Sequence, residues 1–398
     1  MKRLKVLFLT PWYPTRELPV FGVAVQEQAR AVRLFDDVTV LHLAGQTRGR
    51  DRAWRIERET DEGLTKGIAT YRVWHRRTLV PGLGSLHLLR AVGGAFRRIV
   101  EEGFRPNVLH GHVHSSAFPA LLLGRFHRLP VVVTEHSSQF VRGRLRKRHL
   151  LMARFALRRA DAVLAVGQTL LRALEAAGVR KRLRAVSNVI DTELFHPDRE
   201  SRDRGPEALA RILFVAALKG RRIKGVPYLL EALSRLAPQR ADWHLDLVGD
   251  GPERELFERR ARELELSGRI TFHGFKSRPE VAELMRRASF LVVASVRETF
   301  SMVAAEALAS GLPVLATRCG GPEDFVTPEV GLLVPTEDPE ALRAGLEEML
   351  DRFERFRPAR LAAYAAARFN ARRIGEQLDA IYRECLQERV RPRGAGRE

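Results

Sequence analysis

Phe290-Leu-Val-Val-Ala-Ser295-Val-Arg-Glu298-Thr-Phe-Ser-Met-Val-Ala-Ala-Glu306-Ala-Leu-Ala-Ser-Gly-Leu-Pro313-Val-Leu-Ala-Thr317 reads as a buried strand, a turn, a helix and a second buried strand. That order is a βαβ unit, because two parallel strands need a crossover between them. The same alternation runs along the chain. Val6–Leu9, Val38–Leu43, Val108–His110, Val131–Thr134, Ala162–Val166 and Arg184–Val186 are strand-like, with amphipathic stretches such as Val25–Leu34 and Leu86–Glu102 between them. A second series follows at Ile212–Val215, Leu245–Val248, Ile270–Phe272, Phe290–Val293 and Pro313–Thr317. The expectation is an α/β protein of two Rossmann-like, doubly wound parallel-sheet domains facing across a cleft. The first domain is placed at 1–196, a polar, proline-bounded linker at 197–207 and the second domain at 208–371. An amphipathic helix within 372–398 closes the chain.

With 398 residues, 45% hydrophobic and 29% charged, the chain is too apolar to be disordered and long enough for two cores. The two cysteines, Cys319 and Cys385, form neither a disulfide framework nor a metal pair. Pro11 and Pro14 stop the opening apolar run, which is therefore a strand and not a leader, and no apolar run is of membrane-spanning length. A cytoplasmic protein is expected. The net charge of +20 is uneven: residues 1–196 carry 34 basic against 16 acidic residues, and the remainder 34 against 32. A basic front half suits an anionic surface; a near-neutral back half suits a small ligand. Nucleic acid is not expected, since no recognition motif accompanies the charge and aromatic content is 7%.

Chemistry concentrates on the turns that follow strands. Thr299 and Ser301 stand where helix-start N–H groups are free to hold an anion, flanked by the carboxylates Glu298 and Glu306. Sugar hydroxyls and phosphates would match that combination; a plain capped helix with Glu306 in solvent also fits the pattern. Lys224-Gly225 ends a cationic loop, Lys219-Gly-Arg-Arg222-Ile-Lys224, that could meet a diphosphate. Gly22, and Gly249 in Val248-Gly-Asp-Gly-Pro252, allow close approach to backbone, and His136 lies just beyond a strand end. His110-Gly-His112-Val-His114 has metal-ligand spacing but no acidic or cysteine neighbour, so it is read as a strand-end loop and no metal is expected. Arg142-Gly-Arg144-Leu-Arg146-Lys147-Arg148 precedes the apolar Leu150–Leu157, a pairing that anionic lipid headgroups attract.

In their order and spacing these stretches resemble glycosyltransferase family 4, the retaining transferases of the GT-B fold. The carriers are Gly22, Thr134-x-His136, Ser187-Asn-x-Ile-Asp191, Lys224-Gly225, Val248–Pro252, Glu298-x7-Glu306, Glu306–Val314 and Gly320-Gly321. The resemblance covers nearly the whole chain. It implies transfer of a sugar from a UDP or GDP sugar to a glycan or lipid-linked acceptor, in cell-surface polysaccharide or glycolipid synthesis, without a cofactor or metal. Two other readings stay open: a soluble transferase making a small glycoside, and an inactive partner subunit that only binds sugar nucleotide. By the resemblance His136 and Glu298 line the sugar, Glu306 holds the ribose, and the Phe300–Met302 amides with Lys224 hold the diphosphate. The last helix is implied to cross back onto the first domain. Where the family often has G-R-L, this chain has Ala216-Ala217-Leu218, so Arg222 (failing it, Lys219 or Arg221) is expected to supply the missing cation.

Overall fold

The structure, a computed structural model, describes residues 2–47, 54–76, 83–143, 145–180, 182–198, 209–220 and 223–390. The chain forms two compact units, Met1–Val189 with Ala371–Glu398, and Ile190–Asn370. The division falls ahead of the expected 197–207 segment, for a structural reason. Ile190 N–H donates to the Phe369 carbonyl at 2.9 Å and Phe195 is buried beneath the Arg278 guanidinium, which ties this stretch to the second unit.

The first unit runs β1 (Lys5–Thr10), α1 (Val23–Arg33), β2 (Asp37–Thr47), β3 (Trp54–Glu59), β4 (Thr70–Arg76), α2 (Leu83–Glu101), β5 (Val108–His112) and α3 (His114–His127). It continues with β6 (Val131–Glu135), α4 (Lys147–Arg159), β7 (Ala162–Ala165), α5 (Gln168–Ala176) and β8 (Leu183–Ala185). The sheet order is β3-β4-β2-β1-β5-β6-β7-β8. Every pairing is parallel except β3 with β4, so the expected parallel sheet carries one antiparallel edge strand. β3 escaped the reading because an edge strand rich in charge, Trp54-Arg-Ile-Glu-Arg-Glu59, carries too little apolar signal.

The second unit runs β9 (Ala210–Val215), α6 (Val226–Leu236), β10 (Trp243–Val248), α7 (Arg254–Glu263), β11 (Ile270–Gly274), α8 (Arg278–Arg287), β12 (Phe290–Val293) and α9 (Met302–Ala309). β13 (Val314–Thr317), β14 (Gly331–Val334), α10 (Pro339–Arg352) and α11 (Pro358–Phe369) complete it. Its sheet, β11-β10-β9-β12-β13-β14, is parallel at every pairing. The order reverses between β9 and β12, so their carboxyl ends flank the switch point where such sheets bind ligands.

The last helix, α12 (Ala371–Val390), returns to the first unit. Ile374, Leu378, Ile381 and Tyr382 are buried with Val25, Ala29 and Val32 of α1 and with Val6 and Phe8 of β1. Each such side chain contributes about 1.5–3 kcal/mol as an upper estimate. Gly375 permits the approach, since a Cβ there would lie 2.3 Å from the Ala31 carbonyl oxygen. The seam also buries a carboxyl. Asp36 Oδ1 accepts from Leu4 N–H at 2.8 Å, with Arg383 at 3.7 Å and Asp379 beside it. Burial pushes its pKa up to about 6, and the Asp379 charge adds to this against the Leu4 hydrogen bond and Arg383.

A raised carboxyl pKa means the folded chain holds a proton that the unfolded chain releases. Its contribution to stability is full below the ordinary carboxyl range near 4 and is lost as pH rises through about 6. Asp36→Asn is therefore expected to gain melting temperature over the wild type progressively between about pH 4 and 7. Thermal unfolding across that range checks this, and a constant offset between the two proteins contradicts it.

Candidate functional site

At the carboxyl ends of β5 and β6 the first unit gathers three histidines. Alternation along β5 puts His110 and His112 on one face, their ring centroids 4.2 Å apart. His110 is held at both nitrogens, Nδ1 by the Tyr382 hydroxyl and Nε2 by Thr134 Oγ1, each at 2.7 Å. His112 Nδ1 lies 3.2 Å from His136 Nε2, and His136 also hydrogen-bonds Asn188. Beside them Glu135 is wholly buried and fully satisfied. It accepts from the N–H groups of His114, His136 and Ser137 at 2.8, 3.0 and 2.7 Å, and lies 3.0 Å from His114 Nδ1. A buried carboxylate needs such a set of partners, and the bond to His114 N–H caps the start of α3.

Burial dominates the three histidine pKa values. It lowers His110 to about 3, with the His136 charge adding to the effect. His136 falls to about 4 although the Glu135 charge and the Asn188 hydrogen bond oppose the shift, and His112 is pushed well down. All three are neutral polar groups at physiological pH. β5 extends to His112, beyond the expected end at His110; His110 bonds to two hydroxyls and His112 to His136. Gly22 caps α1 with φ 80°, where a Cβ would lie 2.4 Å from the Trp12 and Tyr13 backbone.

In the second unit the turns after β9 and β12 lock together. Gly225 caps α6 at φ 73°, and a Cβ there would stand 1.7 Å from the Ala294 carbonyl oxygen. Val296 N–H donates to the Ile223 carbonyl at 2.9 Å across the same contact. This packing delivers Lys224 Nζ to Glu298 Oε1 at 2.7 Å, and the Ser295 hydroxyl donates to the same oxygen at 2.8 Å. Glu298 is fixed through its backbone as well, its N–H donating to Cys319 O at 2.7 Å and its carbonyl accepting from Gly321 N–H at 3.0 Å.

Glu306, one turn into α9, meets Arg278 Nη2 at 3.1 Å, and both side chains are largely buried. That excludes a solvated outer-face Glu306. Ser301 caps α9 in the left-handed region at φ 76°, and its buried hydroxyl has no hydrogen-bond partner among the described residues. The first-turn N–H groups of α9 lack intrahelical acceptors, so this end carries a partial positive charge. Thr299 and Met302 flank it, half-buried. Two carboxylates, two cations and a helix start with free N–H groups thus occupy one end of one sheet.

The remaining expected site residues fall as follows. Gly249, at φ 142°, serves backbone packing: its missing Cβ would sit 1.8 Å from the Ala216 carbonyl oxygen, which already fills the space read as ligand access. The Phe300 side chain is core, packed on Phe325 and Phe369 at 5.4 Å each, so only its amide could meet a ligand. Arg221 and Arg222 lie outside the described residues, as does Arg144; Lys219 is exposed. Arg278 was missed in the sequence. Its signal was a cation in the first turn of a helix capped by Ser277 and Glu280, where acidic residues are favoured.

The basic segment leads into α4. Arg142 is half-buried, while Arg146, Lys147 and Arg148 are exposed. On α4 Ala153, Ala156 and Leu157 face the core, whereas Leu151, Met152 and Phe155 are 64, 54 and 47% exposed.

Two parallel-sheet units of this kind define the GT-B fold, and solved structures of that fold match across nearly the whole chain. Sucrose-phosphate synthase from Thermosynechococcus elongatus superposes with a TM-score of 0.77 at 22% identity, covering 97% of this chain and all of its own. Anabaena HepE, solved in complex with UDP, gives 0.74 at 21%, covering 96% of this chain and all of its own. Residues 22–194 match the model of glycosyltransferase family 4, and residues 198–368 that of glycosyl transferases group 1. The chain belongs to glycosyltransferase family 4. Among curated relatives, Mycobacterium tuberculosis glycogen synthase is 27% identical over 262 residues, covering 63% of this chain and 62% of the relative. D-inositol 3-phosphate glycosyltransferase of Corynebacterium glutamicum is 28% identical, covering 74% of this chain and 76% of the relative.

The histidine cluster makes a direct prediction. The imidazoles of His110 and His136 should remain neutral in NMR spectra down to about pH 5, while solvent-exposed histidines titrate near 6.5. Titration of either buried ring near 6.5 contradicts this geometry.

Proposed function

We propose that the chain transfers a sugar from a nucleoside-diphosphate sugar of the UDP or GDP type to a glycan or lipid-linked acceptor, retaining anomeric configuration. The carrying observation is the Lys224–Glu298 pair beside Glu306 and the start of α9. Each group suits one part of such a donor. Glu306 accepts from ribose hydroxyls, the α9 N–H groups and Lys224 receive the diphosphate, and Glu298 stands against the transferred sugar. Negative charge grows on the departing diphosphate as the glycosidic bond breaks, and fixed cations with oriented amides stabilise it without a metal ion. Retention follows from attack on the face the leaving group vacates, a phosphate oxygen taking the acceptor proton. His136, neutral and rigidly held, offers the sugar a hydrogen bond without a competing charge.

Both carboxylates now hold cations of the protein, so a donor must displace or share them. Glu306 exchanges part of its bond to Arg278 for ribose hydroxyls, and Lys224 turns from Glu298 toward phosphate. The UDP bound to Anabaena HepE supports a uridine nucleotide as the first donor to try. Exposed Leu151, Met152 and Phe155 beside Arg146, Lys147 and Arg148 support contact with an anionic membrane surface, at about 1 kcal/mol per cation. Among the described residues no helix is long and apolar enough to cross a membrane.

Thermal unfolding with UDP, GDP, ADP and CMP tests the donor site. A nucleotide at 100 times its Kd adds about 2.7 kcal/mol of stability. One nucleoside diphosphate is expected to raise the melting temperature, and Glu306→Ala to abolish that shift. A shift that survives in Glu306→Ala removes the ribose assignment, and no shift with any nucleotide overturns the donor site itself.

A further inference from the structure

A second site lies in the first unit, at the opposite end of its sheet from the histidines. α2 and α3 stand apart there around a groove of about 1120 Å³, bounded by Arg105 and Pro106 ahead of β5 and by Leu129 ahead of β6. The α2 wall is unusual. Arg90, Gly93, Gly94 and Arg97 follow the i, i+3, i+4, i+7 spacing that puts them on one helix face. Glycine is the poorest helix residue after proline, so two in mid-helix call for a reason. Gly94 has one: a Cβ there would press to 2.9 Å against the Trp54 indole, which lies across the helix. Gly93 has none of that kind, because a Cβ there would meet nothing within 4 Å and the position opens onto the groove.

The α3 wall is apolar at the same spacing, with Pro119, Leu122, Leu123 and Phe126. Phe126 is 79% exposed, the largest exposure of any big apolar side chain among the described residues. Around the groove Arg90, Arg97 and Arg105 are exposed and make no ion pair among the described residues; Glu101 is the single carboxylate of the lining. An apolar slot with a cationic rim selects a ligand that is apolar along its length and anionic at one end. A second copy of the chain is disfavoured by the same charges, since it would add three more guanidinium groups at the rim.

We propose that the groove between α2 and α3 takes an acyl chain of an anionic lipid, with Arg90, Arg97 and Arg105 around its headgroup. α4 packs beside α3, so the site adjoins the helix read above as the membrane face. The inference extends that reading from a surface contact to a defined lipid position, and it is independent of the donor site. Phosphate and phosphonate oxygens suit guanidinium groups, which present their donors in a planar fork.

The test uses the full chain with vesicles of phosphatidylcholine, alone or mixed with phosphatidylglycerol, whose acyl chains carry bromine. Bromine quenches indole fluorescence only at short range, so subtracting the signal of Trp54→Phe isolates Trp54. Quenching of Trp54 is expected when phosphatidylglycerol is present. Gly93→Leu fills the groove in space that is already open, and should weaken that quenching about tenfold in lipid concentration while leaving the nucleotide-induced thermal shift in place. Arg97→Glu should reduce the dependence on phosphatidylglycerol.

Equal quenching in Gly93→Leu and wild type, or equal quenching on phosphatidylcholine alone, overturns the proposal. So does self-association that Gly93→Leu abolishes, which would make the occupant a second copy. Replacing Leu151 and Phe155 by serine tests the α4 reading separately. That variant should sediment less with vesicles yet retain Trp54 quenching at saturating lipid, and loss of the quenching at saturation counts against a distinct groove site.

Discussion

The contact between Gly225 and the Ala294 carbonyl is the constraint on which the second unit's site depends. Two strand-to-helix turns can meet this closely only where one carries no side chain, and the left-handed φ of 73° is a conformation that glycine adopts without strain. Any Cβ at 225 would force the β9–α6 and β12–α9 turns apart. Lys224 and Glu298 ride on those turns, so their 2.7 Å pairing is a consequence of backbone packing as much as of charge. In the first unit Gly22 also caps a helix at positive φ, but it packs on the Trp12–Tyr13 backbone of its own β1–α1 connection. Both units thus use a glycine cap for close backbone contact, and only Gly225 joins two different turns.

On that frame the two sites differ in electrostatic character. The second unit gathers charge of both signs and leaves it partly accessible, as a phosphate-bearing ligand requires. The first unit gathers histidines whose burial keeps them neutral, fixed by Thr134 and by a tyrosine that arrives from α12. Tyr382 therefore links the packing of the final helix to the orientation of the histidine cluster. One unit thus carries a charged cluster and the other a rigid neutral one.

Features written in short-range spacing were legible in the sequence. Glu298 and Glu306 stand eight positions apart on a turn and its helix, and the alternating strand and helix pattern announced both sheets. The partners of those residues were not legible. Arg278 reaches Glu306 from another helix, and Tyr382 reaches His110 across 272 positions, distances that no local pattern encodes. β3 was hidden by its charges, and β4 and β14 also went unread. At Gly249 a missing Cβ looks the same in sequence whether ligand or backbone lies against it; here the Ala216 carbonyl lies on that side. The groove between α2 and α3 was invisible for a related reason, since Gly93 acquires meaning only once α3 is in place, and Gly94 only once Trp54 of β3 is.

On the proposed function, the second unit's paired carboxylates and cations hold a nucleoside diphosphate. A crystal structure of the chain with bound UDP or GDP tests it most directly. The account predicts the diphosphate between Lys224 and the first turn of α9, with ribose hydroxyls on the Glu306 carboxylate. Nucleotide bound elsewhere, with the Lys224–Glu298 and Arg278–Glu306 pairs both intact, would contradict it.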